Sequence, residues 1–447
     1  MKDLTTGSMR KTFLLFAIPL VLAGILSQGY NMIDTIIAGK YLGTEGLAAT
    51  GATAALITVI CSLFWGFGNG IAIYVARLFG AKEYKKLKSC IYINFIIVAI
   101  AAVIITVLMI IFHSAVFNFL KIDQSIRKSA FIYFSIYMSG LVIMTFNRNC
   151  IFIMHAFGMS LYPFLMSLIS AFINVAGNIL TIIFLGWGIA GVAISTVLSS
   201  LVVFVCYIFK LKKCFKEMNV DKYKVPLSGE IVKCSLPYSI PVTIQQVIMY
   251  LSSVLISPMI NGLGSSATSA YTVILQIYNL SSSIYQESTK TLSNYTAQCM
   301  GAKKYSKIKK GIHIGITQSA LFVLPLLIFC AVFSKQSCSV FFPSDHFGKD
   351  LIYAIAFVKF CQPFVLLNLI NNAFHAISRA VKAMNMLMIS TAIGAASRVI
   401  ATAIFVKYYG MYGMYIGWVI SWLAEMIFAL YIYNSGRWIP DEMKNKI

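Results

Sequence analysis

The chain has 447 residues, 59% of them hydrophobic and 11% charged, with a formal net charge of +22 and a mean hydropathy of +0.82. No soluble globule can bury that much apolar surface, so the long charge-poor runs of about 20 residues read as bilayer-spanning helices. The lysines sit in short loops between these runs, which argues against a nucleic-acid patch and fits topology control by the positive-inside rule.

Twelve apolar segments follow in chain order: 12–38, 47–76, 91–114, 127–153, 161–184, 189–210, 234–260, 267–297, 311–333, 351–375, 384–406 and 411–433. The first is too long for a secretory signal peptide, and no small-residue cleavage site closes it. Several exceed the length needed to cross, so they tilt or project beyond the bilayer. An even number of spans puts both termini on one side. Of the 36 Lys and Arg residues, 26 lie at the termini and in the even-numbered loops, and seven lie in the odd-numbered loops. That bias predicts a multi-pass cell-membrane protein with both termini in the cytoplasm. Lys290, Lys359 and Arg398 complete the 36.

The first segment ends in "NMIDTIIAGKYLG". Only Asp34, Glu287 and Glu425, of fourteen acidic residues, lie well inside predicted spans. A carboxylate at the bilayer centre costs roughly 2.5–3.5 kcal/mol on insertion scales, so it pairs, takes a proton or faces water. No basic residue lies one turn from Asp34; its polar neighbours are Gln28, Asn31 and Thr35. Asn31, at i−3, shares its helix face, and such a face turns inward rather than to lipid. A carboxyl that is neutral when dry and ionised when wet can couple proton movement to conformation. Asp34 is therefore the candidate coupling group, against the plainer reading of a helix–helix hydrogen bond. Pro19, with Gly24 and Gly29 beyond it, predicts a kink, read equally as static or as a hinge.

The chain repeats itself. "ARLFGAKEYKKLK" (Ala76–Lys88) and "AQCMGAKKYSKIK" (Ala297–Lys309) match at an offset of about 221 residues. Tyr41–Ala49 faces Gly262–Ala270, the stretch from Gly188 faces that from Gly410, and His155-Ala156 faces His375-Ala376. A colinear series of this kind predicts two six-helix repeats, 1–219 and 220–447, joined by the basic linker Lys210–Gly229. Six is even, so the repeats run parallel, related by an axis along the membrane normal, as in secondary transporters that work by alternating access.

In the second repeat Glu287 and Lys290 stand at i and i+3, and Arg398 can pair with Glu425 between the eleventh and twelfth segments. The alternative for all four is structural pairing. Glu287 is the candidate for a cationic substrate, with Tyr30, Phe64, Tyr278 and Tyr285 as apolar and cation–π surface. The ten cysteines are scattered without CxxC spacing, so no metal site is indicated. The five histidines fall near predicted span ends or loops without ligand spacing. No GxSxG, HExxH or P-loop appears, which argues against an enzyme and against direct ATP drive.

"NMIDTIIAGKYLG", the paired "GAKEYKKLK" and "GAKKYSKIK", and "NVAGNILTIIFLGWGIAGVAIST" (Asn174–Thr196) together resemble the multidrug and toxic compound extrusion (MATE) family, most closely its proton-coupled, DNA-damage-inducible-type branch. The resemblance spans almost the whole chain. It implies an all-α integral membrane protein of twelve helices in two pseudo-symmetric bundles. It also implies an antiporter that exports lipophilic, mostly cationic compounds against H+ or Na+, with no other cofactor. Such a protein takes small molecules within membrane lipid, binds no nucleic acid and is expected to be a monomer. The resemblance places Asn174, Asn178 and Thr196 around Asp34 as the ion-coupling set; Gln28 and Asn31, polar neighbours of Asp34 on its own helix, are candidates for the substrate surface. Two departures stand out. "MHAFGMSLYP" (Met154–Pro163) replaces the usual Arg-Gly-x-Gly-Asp type turn, and Asn178 stands where the family often has Asp. One fewer acid favours H+ over Na+, since a hard cation seeks carboxylates and carbonyls. A lipid or lipid-linked oligosaccharide flippase of the same superfamily is the alternative, kept open by Lys290, Lys359 and Arg398. Cysteine accessibility in intact cells is expected to place positions 82, 216 and 303 in the cytoplasm and 121 and 349 outside; opposite sides for 82 and 303 would refute parallel repeats.

Overall fold

The computed structural model describes the backbone of residues 1–119, 122, 124–226, 229–342 and 348–444, with their side chains except those of 31–40, 43–48, 55 and 119. The described residues form helices and turns only. In order these are α1 (Met9–Gly80), α2 (Tyr84–Ile111), α3 (His113–Phe119), α4 (Arg127–Ser139), α5 (Leu141–Ala156), α6 (Leu161–Ile179), α7 (Gly188–Glu217) and α8 (Gly229–Asn261). There follow α9 (Ser265–Gly301), α10 (Ser306–Val332), α11 (Ser334–Ser339), α12 (Lys349–Cys361), α13 (Val365–Ala380), α14 (Met384–Tyr409), α15 (Met411–Asn434) and α16 (Asp441–Lys444). Each of the twelve predicted segments is helical, but the break expected between the first two, at 39–46, is helical as well. The first two both fall within α1, and the fourth is the pair α4 and α5, bent by 51°.

Ten described helical stretches are long and apolar enough to cross a bilayer, eleven with that bent pair. The remaining segment is α9, whose 37 residues are rich in Ser, Thr, Asn and Gln. Its environment accounts for this. α10, α12 and α13 pack around it, and most of the run Ser281–Met300 is buried. A helix shielded from lipid by its neighbours can carry hydroxyls and amides, provided they bond internally.

The chain packs into two compact units, Met1–Asp3 with Leu26–Thr243, and Leu4–Ile25 with Ile244–Ile447. Division at residues 219 and 220 follows the sequence repeat, and the packed units differ from it over Leu4–Ile25 and 220–243. Glycines show why. In the first unit Gly66 and Gly70 lay α1 directly on α8: a Cβ on Gly66 would stand 2.5 Å from the Cα of Thr243, and one on Gly70 2.4 Å from that of Ser239. This is the small-xxx-small spacing of close membrane helices. In the second unit Gly24 of α1 meets α9, where a Cβ would stand 2.8 Å from Glu287 Cγ. The apolar core of the first unit gathers Ile57, Phe64, Phe117, Phe134 and Leu141. That of the second gathers Ile274, Tyr285, Phe357, Tyr415 and Trp418.

The repeat persists down to backbone dihedrals. Lys82 and Lys303, matched in the two Gly-Ala-Lys loops, are both left-handed, with φ of 60° and 56°. Gly188 and Gly410, also matched, share φ of 56°. The first pair is uncommon for residues with a Cβ, and the second is free for glycine.

One matched pair has diverged. Lys88 is buried, and its Nζ donates to the carbonyls of Val220, Asp221 and Tyr223 at 2.9, 2.9 and 2.8 Å. The ammonium also lies 5.6 Å from the Tyr92 ring and 5.7 Å from that of Phe215. It thereby pins the inter-repeat linker to α2. Its counterpart Lys309 is exposed; the second Gly-Ala-Lys loop instead holds the N-terminal strand, through Lys304 Nζ to Thr5 Oγ1 at 2.7 Å and Lys307 Nζ to the Thr5 carbonyl at 2.9 Å. Lys88→Met strands three carbonyls and is expected to destabilise the protein by about 2–3 kcal/mol, whereas Lys309→Met is expected to stay within about 0.5 kcal/mol. Thermal unfolding of the purified variants, with tryptic cleavage at Lys222 and Lys224 as a local readout, checks both.

Candidate functional site

The first candidate site lies where α6 meets α7. Two glycines bring these helices together. A Cβ on Gly177 would stand 2.9 Å from Ser195 Oγ, and one on Gly191 2.6 Å from Thr181 Oγ1. At that spacing small polar groups bridge the helices. Thr181 Oγ1 donates to the Gly177 carbonyl at 2.7 Å and lies 3.3 Å from Ser195 Oγ. Asn174 and Asn178, four residues apart and therefore on one face, are both fully buried. Asn178 Nδ2 donates to Asn174 Oδ1 at 2.9 Å, Asn174 Nδ2 donates to Thr196 Oγ1 at 3.0 Å, and Thr196 Oγ1 donates to the Val192 carbonyl at 3.0 Å. Immediately after Asn178 the helix widens into a π turn, Leu180–Phe184, a device that recurs at functional positions. The structure thus joins three of the predicted coupling residues into one directional chain of neutral donors and acceptors. This chain carries no charge of its own.

Asp34 and Asn31, on α1, lie outside the residues whose side chains are described. Gln28 and Tyr30, in the same unit, are half-buried. Phe64 is a core residue, 5% exposed, packed among Ile57, Ile60 and Phe134.

In the second unit α9 brings together Tyr278, Tyr285 and Glu287. Asn368 on α13 donates its amide to both tyrosine hydroxyls, at 2.8 Å to Tyr278 and 2.9 Å to Tyr285. The Tyr278 ring stacks on Trp422 at 5.9 Å and meets Trp418 edge-on at 5.0 Å. Tyr285 is fully buried while Tyr278 is half-buried, so Tyr278 is the one with surface to offer. Glu287 and Lys290 form the expected ion pair, both partly exposed.

Glu425 does not pair with Arg398. Its carboxylate is taken by His375, Nε2 to Oε1 at 3.0 Å, and by Ser390 Oγ at 3.4 Å. The Arg398 guanidinium instead lies 4.2 Å from the centre of the Trp418 ring. Behind His375 stands Gln245, its Nε2 3.0 Å from His375 Nδ1, and its Oε1 accepts from Arg379 at 3.1 Å. Sequence reasoning set this histidine aside as lying at a span end. The helix in fact runs on to Ala380, which leaves His375 buried inside it. The available signal was the matched pair His155 and His375 beside a single deep acid.

The MatE family matches residues 19–180 and again 241–404, once in each repeat. The chain is 25% identical over 343 residues to the probable multidrug resistance protein YoeA of Bacillus subtilis, covering 75% of this chain and 74% of that protein. It is 24% identical over 448 residues to the probable multidrug resistance protein YpnP of the same organism, covering 98% and 97%. Its fold superposes with a TM-score of 0.90 on the outward-facing conformation of a multidrug resistance MATE family transporter of the MOP superfamily, at 22% identity and over 98% and 97% of the two chains. With matches to both repeats and the fold in common, the chain belongs to the MatE family of membrane transporters.

Proposed function

We propose that the protein is a secondary antiporter of the cell membrane, with both termini cytoplasmic. It exports lipophilic, mostly cationic small molecules in exchange for protons by alternating access, working as a monomer of the DNA-damage-inducible-type branch. Asp34 is the coupling carboxylate, and Asn174, Asn178 and Thr196 tune it. The buried Asn178–Asn174–Thr196 chain supports this reading. Such a chain has donors and acceptors enough to stabilise either protonation state of a neighbouring carboxyl, but no second negative charge to hold Na+. Gln28, Tyr30, Asn31, Phe64, Tyr278, Tyr285 and Glu287 are the proposed substrate surface, with Tyr278 and Glu287 first among them. A cation that reaches Glu287 must compete with Lys290 for its carboxylate.

Asp34→Asn is expected to leave the protein folded and to abolish export driven by an imposed proton gradient in liposomes. The amide is nearly isosteric and keeps a hydrogen bond, but it cannot exchange a proton near neutral pH. Asn174→Ala and Thr196→Ala are expected to shift the pH dependence rather than abolish transport, because they alter the hydrogen bonds around the carboxyl. Uphill export at near-normal rate by Asp34→Asn rules the assignment out. For substrate charge, Glu287→Gln is expected to weaken export of cationic dyes more than that of neutral compounds; equal loss of both classes would make the Glu287–Lys290 pair structural.

A further inference from the structure

The network around His375 fixes its own proton positions. A guanidinium only donates, so the Gln245 atom that faces Arg379 is the carbonyl oxygen. The amide nitrogen therefore faces His375 Nδ1, 3.0 Å away, and Nδ1 must be the acceptor. The single ring proton then sits on Nε2 and points at Glu425 Oε1, 3.0 Å away. Read from one end, Arg379 donates to Gln245, Gln245 to His375, and His375 to Glu425. Ser390 fills a further place on the carboxylate at 3.4 Å. His375 is 4% exposed and Glu425 8%. One cation and one anion are thus joined through a neutral amide and a neutral imidazole across α8, α13, α14 and α15.

We propose that His375, backed by Glu425, is a second proton-binding site of this transporter, separate from Asp34, and that proton uptake at Nδ1 turns the Gln245 amide and releases Arg379 from it. A new N–H at Nδ1 would point at the N–H groups of Gln245. The amide must then turn its oxygen to His375, which takes that oxygen away from Arg379. His375 stays bonded to Gln245 with the sense of that bond reversed, and the bond lost is the one from Arg379, near the C-terminal end of α13, to Gln245. The bond kept, His375 to Glu425, becomes an ion pair. His375 rather than Glu425 accepts the proton because Glu425 already accepts two hydrogen bonds in its charged form.

The surroundings supply few rivals among the described residues. On α9 stand Tyr278 and Tyr285, both bonded to Asn368, and Glu287 with Lys290, which pair with each other. On α14 Arg398 lies over Trp418 and Lys407 is exposed. On α12 Lys359 is exposed, and Asp350 sits in the first turn and caps the Leu351 amide at 3.0 Å. On α10 Lys307 reaches the N-terminal strand, and Lys309, Lys310 and His313 are exposed. Arg379 and Glu425 are the charges bonded into the network. The first repeat lacks the device: His155 matches His375, but the residue matching Glu425 at the local offset of 222 is Val203, 2% exposed.

The test follows the ring nitrogens of His375 by solid-state NMR of the full chain, labelled with 15N-histidine and held in lipid membranes, from pH 5 to 9. His375→Asn identifies the resonance. An imidazole with one proton on Nε2 is expected to give way to an imidazolium within that range. Gln245→Glu offers carboxylate oxygens to both Arg379 and Nδ1–H, so the midpoint is expected to rise by about one pH unit or more, tenfold in proton affinity. Glu425→Gln removes the opposite charge, so the midpoint is expected to fall by a similar amount. Asp34→Asn is expected to leave the titration where it was, which separates this site from the coupling carboxylate. A ring that keeps its one proton on Nε2 across the range, or a midpoint indifferent to both near-isosteric changes, would overturn the proposal.

Discussion

A polar group at membrane depth has no water to return to, and most of what is distinctive here follows from that. A backbone or side-chain group left unbonded in hydrocarbon costs several kcal/mol. Several groups of polar residues inside this protein therefore bond to one another or are shielded by neighbouring helices. α9 carries a run of hydroxyls and amides because three other helices shield it from lipid. Asn174, Asn178 and Thr196 form a chain with a defined direction. The ammonium of Lys88 is surrounded by three carbonyls and two aromatic rings. A set of this kind has few alternative arrangements, and a change in one member has to be answered by the others.

Close approach of helices is the means by which these sets are assembled. Short polar side chains reach across only when backbones nearly touch, and glycine permits that. Gly177 and Gly191 do this for α6 and α7, Gly66 and Gly70 for α1 and α8, and Gly24 for α1 and α9. The same contacts account for the composition of the packed units. Leu4–Ile25 belongs with the second unit and the first half of α8 with the first, because the glycine faces that receive them lie there. Chain order and packing order need not agree once a helix is long enough to have two neighbours along its length.

Much of the fold was legible in the sequence because periodic apolar runs and a 221-residue repeat are properties of composition and order. Apolar content found every long helix, α9 included, although its polar face conceals it from a hydropathy threshold, and it missed the short helices α11 and α16. The Gly-Ala-Lys loops predicted their own equivalence, down to the shared left-handed turn at Lys82 and Lys303. The candidate sites were legible only where spacing sufficed. Asn174 and Asn178 at i and i+4, and Glu287 with Lys290 at i and i+3, share a face by geometry alone. The partners of Glu425 were not legible. Pairing it with Arg398 followed the rule that opposite charges meet, but the side chains of α14 and α15 are set so that the guanidinium lies on Trp418 and the carboxylate faces α13. No local pattern records which of several deep polar residues meet across three helices.

The repeats are alike in their basic Gly-Ala-Lys loops and unlike in their deep acids. At matched positions the first repeat has Asp34 where the second has Leu255, and the second has Glu425 where the first has Val203. Each repeat thus keeps one deep acid beyond the Glu287–Lys290 pair, but on a different helix: the first of its six in one, the last in the other. Duplication alone would have given two equal sites, one in each repeat. The acid of the second repeat instead has an imidazole partner of its own, and the first repeat holds Val203 at the matching position. A pseudo-symmetric scaffold can move as two similar halves, while the chemistry that sets when each half moves need not be shared.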